Sequence, residues 1–210
     1  FDPTPRQMMT LGKCKAYFLV GGLGFEDSWT EKIENMYPSL SLVDTSTGIL
    51  RVDDDPHLWT SPDNMTVIAR NICVALCRMD TADATGYKTR LLAAEKMIAD
   101  TDSIIRRKLA DVSCRSFLVF HPSLTYFARL YGVNQIALEE HGKEPSAAHV
   151  KRIIDEARSC GVRDVLVQTE FDKNHAHTVA LELNAAVQTI NPLNYDWHGE
   201  MLHVADCLTK

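Results

Sequence analysis

Two of the eight histidines stand in settings able to hold a metal ion. His57 lies in Asp53-Asp54-Asp55-Pro56-His57-Leu58-Trp59-Thr60-Ser61-Pro62, between an acidic run and the expected start of a helix. Pro56 fixes its own φ and pushes Asp55 into an extended conformation, while Ser61 and Pro62 read as an N-cap and a first helical residue. The imidazole is therefore held in a short rigid turn, with carboxylates just before it to orient its other ring nitrogen, as a metal ligand requires. His121 ends the apolar run Phe117-Leu118-Val119-Phe120, and Pro122 and Ser123 follow to begin a helix. Both imidazoles thus fall at the carboxyl ends of expected strands, where open α/β sheets bind ligands. A single loop histidine is more often a solvated or capping group. The metal reading rests on two in like positions.

The other six, His141, His149, His175, His177, His198 and His203, share no ligand spacing and read as helix or loop residues. His175 and His177 are two apart and cannot share a helix face. His198 follows the last expected strand closely enough to approach a site at the strand ends.

The elements that must position these side chains alternate. The apolar run 16–21 reads as a strand, 25–37 as an amphipathic helix, 40–43 as a short strand, and the helix after His57 runs to about residue 79. A long helix is expected over 83–110, where Tyr87, Leu91, Ala94, Ile98, Ile105 and Leu109 make a one-sided apolar stripe. About 28 residues at 1.5 Å each extend roughly 42 Å, enough for a stiff strut joining two lobes. Alternation then resumes: strand 117–120, helix 124–131 ended by Gly132, strand 135–138, helix 146–160 ended by Gly161, strand 164–168, helix 174–184, strand 186–190 and helix 197–208. The pattern predicts an α/β fold of two lobes with parallel-sheet cores covered by helices, joined by one long rigid helix. The expected boundaries are 1–82, 83–112 and 113–210, with the first strand of the N-terminal lobe outside the chain. Opening on Phe1-Asp2-Pro3-Thr4-Pro5, the sequence reads as a fragment or processed form.

Composition narrows the function. A net charge of −6 with scattered Lys and Arg argues against a nucleic-acid partner. The longest apolar run, 16–25, is too short to cross a bilayer. Six cysteines have no zinc-finger spacing, and their apolar neighbours favour buried thiols over disulfides or ligands; Cys73 and Cys77 fall four apart on one helix. No nucleophile elbow, phosphate loop, dinucleotide fingerprint or His-Glu-x-x-His is present. Gly21-Gly22-Leu23-Gly24 lacks the fingerprint spacing and reads as a tight turn.

Taken together, the Phe1-Asp2-Pro3-Thr4-Pro5 start, the Asp-Pro-His-Leu-Trp-Thr-Ser-Pro-x-Asn block, the strand ending in His121-Pro122 with Tyr126-Phe127-Ala128-Arg129-Leu130-Tyr131-Gly132 after it, and Gly142-Lys143-Glu144-Pro145-Ser146 resemble the zinc and manganese substrate-binding proteins of ABC transporters. The resemblance covers nearly the whole chain in the same order. It implies two lobes bridged by one long helix, a metal site in the cleft between them, and delivery of the ion to a membrane permease. It also implies a monomer and an extracytoplasmic placement, periplasmic or lipid-anchored. His57 matches the family's N-lobe histidine and His121 its C-lobe ligand. A further family histidine falls two positions before Phe1, outside the chain. The fourth ligand, normally Asp, falls on Asn191, an amide that brings no charge. Glu170 is a reserve carboxylate where relatives often have Gln, and Gln168 falls where they often have Glu. Two imidazoles and an amide oxygen tilt the choice to Zn²⁺ over Mn²⁺. Two rival classes stay open: a zinc-dependent hydrolase with Glu170 or Asp55 as base, and a metal-free, adhesin-like scaffold with a decayed site.

Overall fold

A computed structural model describes residues 2–52, 55–139, 145–171 and 173–209, without the side chains of 173–175. Asp53, Asp54, His141 and the Gly142-Lys143-Glu144 part of the family block lie outside the described residues, as does the side chain of His175. The chain divides into two compact units, one of residues 1–59 and 63–96, the other of 60–62 and 97–210.

In the first unit the parallel strands β1 (Ala16–Leu19) and β2 (Ser41–Asp44) pair in register from Ala16 with Ser41 to Leu19 with Asp44. They are accompanied by α1 (Pro5–Leu11), α2 (Gly24–Met36) and α3 (Pro62–Met79). Helix α1 was not expected from the Pro-rich start. It forms because Thr4 and Gln7 close a capping box, each side chain reaching the other's backbone, and Pro5 occupies the first helical position where its missing N–H costs nothing. The Gly21-Gly22 turn after β1 is tight, as its sequence suggests. Both glycines have positive φ, a Cβ on Gly21 would meet Ser46 Oγ at 2.2 Å, and the buried Glu26 carboxylate accepts the Val20 and Gly21 N–H groups at 2.7 Å.

The long helix α4 spans Ala84–Leu109, within a residue of expectation at each end. Its first half is counted with the first unit and its second half with the second. In that second half Ile98, Thr101, Ile105 and Leu109 are the buried residues. Thr101 fills the gap in the apolar stripe because its hydroxyl is fully used: it donates to Met97 O at 2.7 Å and accepts from His198 Nδ1–H at 2.6 Å.

The second unit is built on four parallel strands in the order β4-β3-β5-β6, where β3 is Ser116–Val119, β4 Asn134–Ala137, β5 Asp164–Gln168 and β6 Ala186–Ile190. Every residue of β5 is buried, the signature of a strand covered on both faces. On one face Leu118, Ile136, Val165 and Val167 pack with Ile153, Ile154 and Ala157 of α6 (Ala147–Ser159) and Ala176, Val179 and Ala180 of α7 (Lys173–Leu183). Helix α5 (Thr125–Tyr131) ends on Gly132 in the left-handed conformation, and α8 (Trp197–Cys207) buries Met201, Val204 and Ala205. Both units are therefore α/β with parallel strands and helices, as the alternation predicted. No helix among the described residues is long and apolar enough to cross a membrane.

Candidate metal-binding residues

His57 lies just before a single 3-10 turn, Leu58–Thr60. The turn is pinned locally. Leu58 is fully buried, its carbonyl accepts from Asn64 Nδ2 at 3.1 Å, and its N–H donates to Pro56 O at 2.8 Å. This explains the spacing of Asn64 in the motif: it ties the first turn of α3 back to the residue after the histidine. Asp55 is the orienting carboxylate expected from the acidic run. Its Oδ1 accepts both the His57 backbone N–H at 2.8 Å and Nδ1–H at 2.5 Å, which leaves the lone pair on Nε2. The His57 ring lies 5.3 Å from that of Trp59.

His121 is placed by strand register. Val119 pairs with Ala137 on one side and with Leu166 on the other, so two residues further on His121 falls opposite Glu139 and opposite Gln168. The first neighbour supplies a carboxylate: Glu139 Oε2 takes Nδ1–H of His121 at 2.5 Å, again placing the ring lone pair on Nε2. The second supplies a clamp. Gln168, almost wholly buried, accepts the His121 N–H through Oε1 and donates through Nε2 to His121 O and Ser123 Oγ at 2.6 and 2.7 Å. Phe171 stacks on the imidazole, centroids 5.5 Å apart and planes within 20°. Strands β3 and β5 are where the chain switches direction across the sheet, the crevice in which open α/β sheets take ligands.

Asn191 follows β6 at the same end of the sheet, two strand positions from His121, or roughly 10 Å between backbones at about 4.8 Å per strand. Its Oδ1 accepts the Leu193 N–H at 3.2 Å, and its own N–H donates to the buried Glu200 at 2.7 Å. The amide oxygen is thus already engaged in a turn. Glu170 is exposed and receives the Thr169 hydroxyl at 3.1 Å. Of the residues singled out in the sequence, Gln168 rather than Glu170 supports the site. Glu139 had no sequence signal, since only register brings it to His121.

Three of the remaining histidines make structural contacts. His198 is tied to Thr101, His203 Nε2 to Thr189 O at 2.9 Å, and His149 Nδ1 lies 3.3 Å from the Arg152 guanidinium. Among the described residues, no three His, Cys, Asp or Glu side chains gather as a metal cluster. No disulfide links the six cysteines, but the expectation of burial fails for Cys14, in the loop after α1, and for Cys160, at the end of α6, which are exposed. Cys73 is buried, and burial, followed by the neighbouring Cys77 thiol, pushes its pKa up.

Each of the two histidines thus has its Nδ1 oriented by a carboxylate, and His121 sits just beyond the carboxyl end of β3 in an α/β unit. The family model for the zinc-uptake complex component A, periplasmic (ZnuA), matches residues 1–206, and the chain belongs to that family. Among curated relatives, the high-affinity zinc uptake system protein ZnuA of Brucella suis biovar 1 is 29% identical over 171 residues, which cover 74% of this chain and 51% of that protein. The match spans between 27% and 51% of the length of these curated relatives. A crystal structure of ZnuA superposes with a TM-score of 0.91 at 34% identity, covering 98% of this chain and 82% of that one. A ZnuA deletion mutant solved with zinc bound gives 0.92 at 32% identity, covering 100% and 85%.

Proposed function

We propose that this chain is the substrate-binding component of an ABC transporter, capturing Zn²⁺ as cargo and passing it to a membrane permease. His57 and His121 bind the ion through Nε2. Asn191 contributes at most a weak, uncharged oxygen, and Mn²⁺ is the alternative cargo. The observation that carries the reading is the repeated pairing of Nδ1–H with a carboxylate at 2.5 Å, Asp55 for one histidine and Glu139 for the other. That pairing fixes the tautomer and the ring orientation of each histidine, as the partner of a metal-ligating imidazole does. The two-imidazole set suits zinc better than manganese, which prefers carboxylate and other oxygen ligands.

The same reading makes the chain a non-enzymatic, extracytoplasmic monomer with no nucleic-acid partner, and the helix over 83–112 the connector of two lobes. A hydrolase is disfavoured because Asp55 is committed to His57 and Glu170 points to solvent. Calorimetric titration of the metal-stripped protein with Zn²⁺ is the test. Saturable 1:1 binding, weakened more than tenfold in His57→Ala, is expected; identical isotherms for the two proteins would remove His57 from the site.

A further inference from the structure

The six cysteines include two pairs in contact, and they differ in what their backbones allow. Cys73 and Cys77 lie on successive turns of α3 with their sulfurs 3.9 Å apart. Their Cβ atoms are held about 5–6 Å apart by the helix, beyond the roughly 3.5–4.5 Å that a disulfide needs. Cys114 and Cys160, 46 residues apart in sequence, meet at the amino-terminal edge of the larger sheet, one in the loop before β3 and the other capping the end of α6. Cys114 Sγ lies 3.4 Å from Cys160 O and 3.2 Å from Ser116 O. A carbonyl oxygen lies about 2.4 Å from its own Cα, so that sulfur is within about 6 Å of the Cys160 Cα. Closing the bond takes rotation of both side chains together with a small shift of the two loops. Neither residue is inside a regular element, so small backbone adjustments are available. Cys160 is exposed and Cys114 lines a surface cavity of about 270 Å³, so solvent-borne reagents reach both.

We propose that Cys114 and Cys160 form a disulfide when the protein meets a disulfide oxidant, stapling the loop before β3 to the turn before β5. The chemistry is exchange with a small disulfide RSSR. The Cys160 thiolate attacks one sulfur and releases one RSH; Cys114 then attacks Cys160 Sγ in the mixed disulfide and releases the second. The two protein thiols give up two protons and two electrons, and the oxidant leaves as two thiols. Exposure to such an oxidant in the cell rests on the extracytoplasmic reading above, because disulfides persist in oxidising compartments; the bond itself depends only on the geometry.

The test treats the purified, zinc-free full chain with oxidised glutathione, counts free thiols by maleimide labelling after denaturation, and maps non-reduced peptides by mass spectrometry. Six thiols should fall to four, with one cross-linked peptide joining Cys114 to Cys160. Cys114→Ser should leave Cys160 as a glutathione adduct, and Cys160→Ser should abolish the cross-link. Six remaining thiols, or cross-links joining other cysteines, overturn the proposal. Zinc titration of the same oxidised sample separates the two readings: a cross-linked protein that fails to bind zinc refutes the transport function alone, and a zinc-binding protein without the cross-link refutes the staple alone.

Discussion

The surroundings of His57 and His121 reach one chemical result by different routes. Around His57 everything is local: Asp55 is two residues away, and Pro56, the buried Leu58 and Asn64 fix the turn within one short stretch. Around His121 the partners come from elsewhere, Glu139 from the end of one neighbouring strand and Gln168 from the other, 18 and 47 residues on. Accessibility differs as well. The His57 side chain retains 17% of its exposure and that of His121 retains 30%, while both carboxylate partners stand at 9%. A charge pair with less water around it is less screened, so the Asp55 charge should matter more to its histidine than the Glu139 charge does.

The comparison can be broken most directly at the imidazoles themselves. His121→Ala, like His57→Ala, should weaken zinc binding by more than tenfold in calorimetry; a large loss in one and none in the other would reduce the shared arrangement to coincidence. Next in size is removal of the orienting charge without loss of the acceptor. Asp55→Asn and Glu139→Gln should each weaken zinc binding, within the roughly 10- to 100-fold range seen for partners of metal-ligating histidines, and Asp55→Asn should cost more. Equal losses in the two titrations would mean that exposure does not set the strength of the pair. The smallest effect belongs to Asn191. In Asn191→Asp the new carboxylate can keep the turn to Leu193 N–H while adding a negative charge, so affinity for Mn²⁺ should rise by more than affinity for Zn²⁺. Competition titration of the two ions reads this ratio, and an unchanged ratio would place residue 191 outside the coordination sphere.

Most of the fold was legible because its signals are short-range. The strand over 164–168 is carried by Val165, Leu166 and Val167 and appears as Asp164–Gln168 buried throughout; the helix expected over 83–110 appears as Ala84–Leu109. Where legibility failed, the signal was masked or long-range. Thr4 and Gln7 form a capping box that two flanking prolines hide, and Thr101 is a polar residue that sits in the apolar stripe of a helix only because His198 supplies its hydrogen-bond partner.

By itself the sequence determined the turn that carries His57 and the strand that leads to His121, because proline geometry, capping residues and apolar periodicity act within a few residues. Tertiary structure alone decided that Glu139 faces His121, that Gln168 rather than Glu170 braces it, and that Cys114 reaches Cys160. Those contacts follow from the parallel register and order of strands that are far apart in the chain, and no local pattern encodes which strand lies beside which.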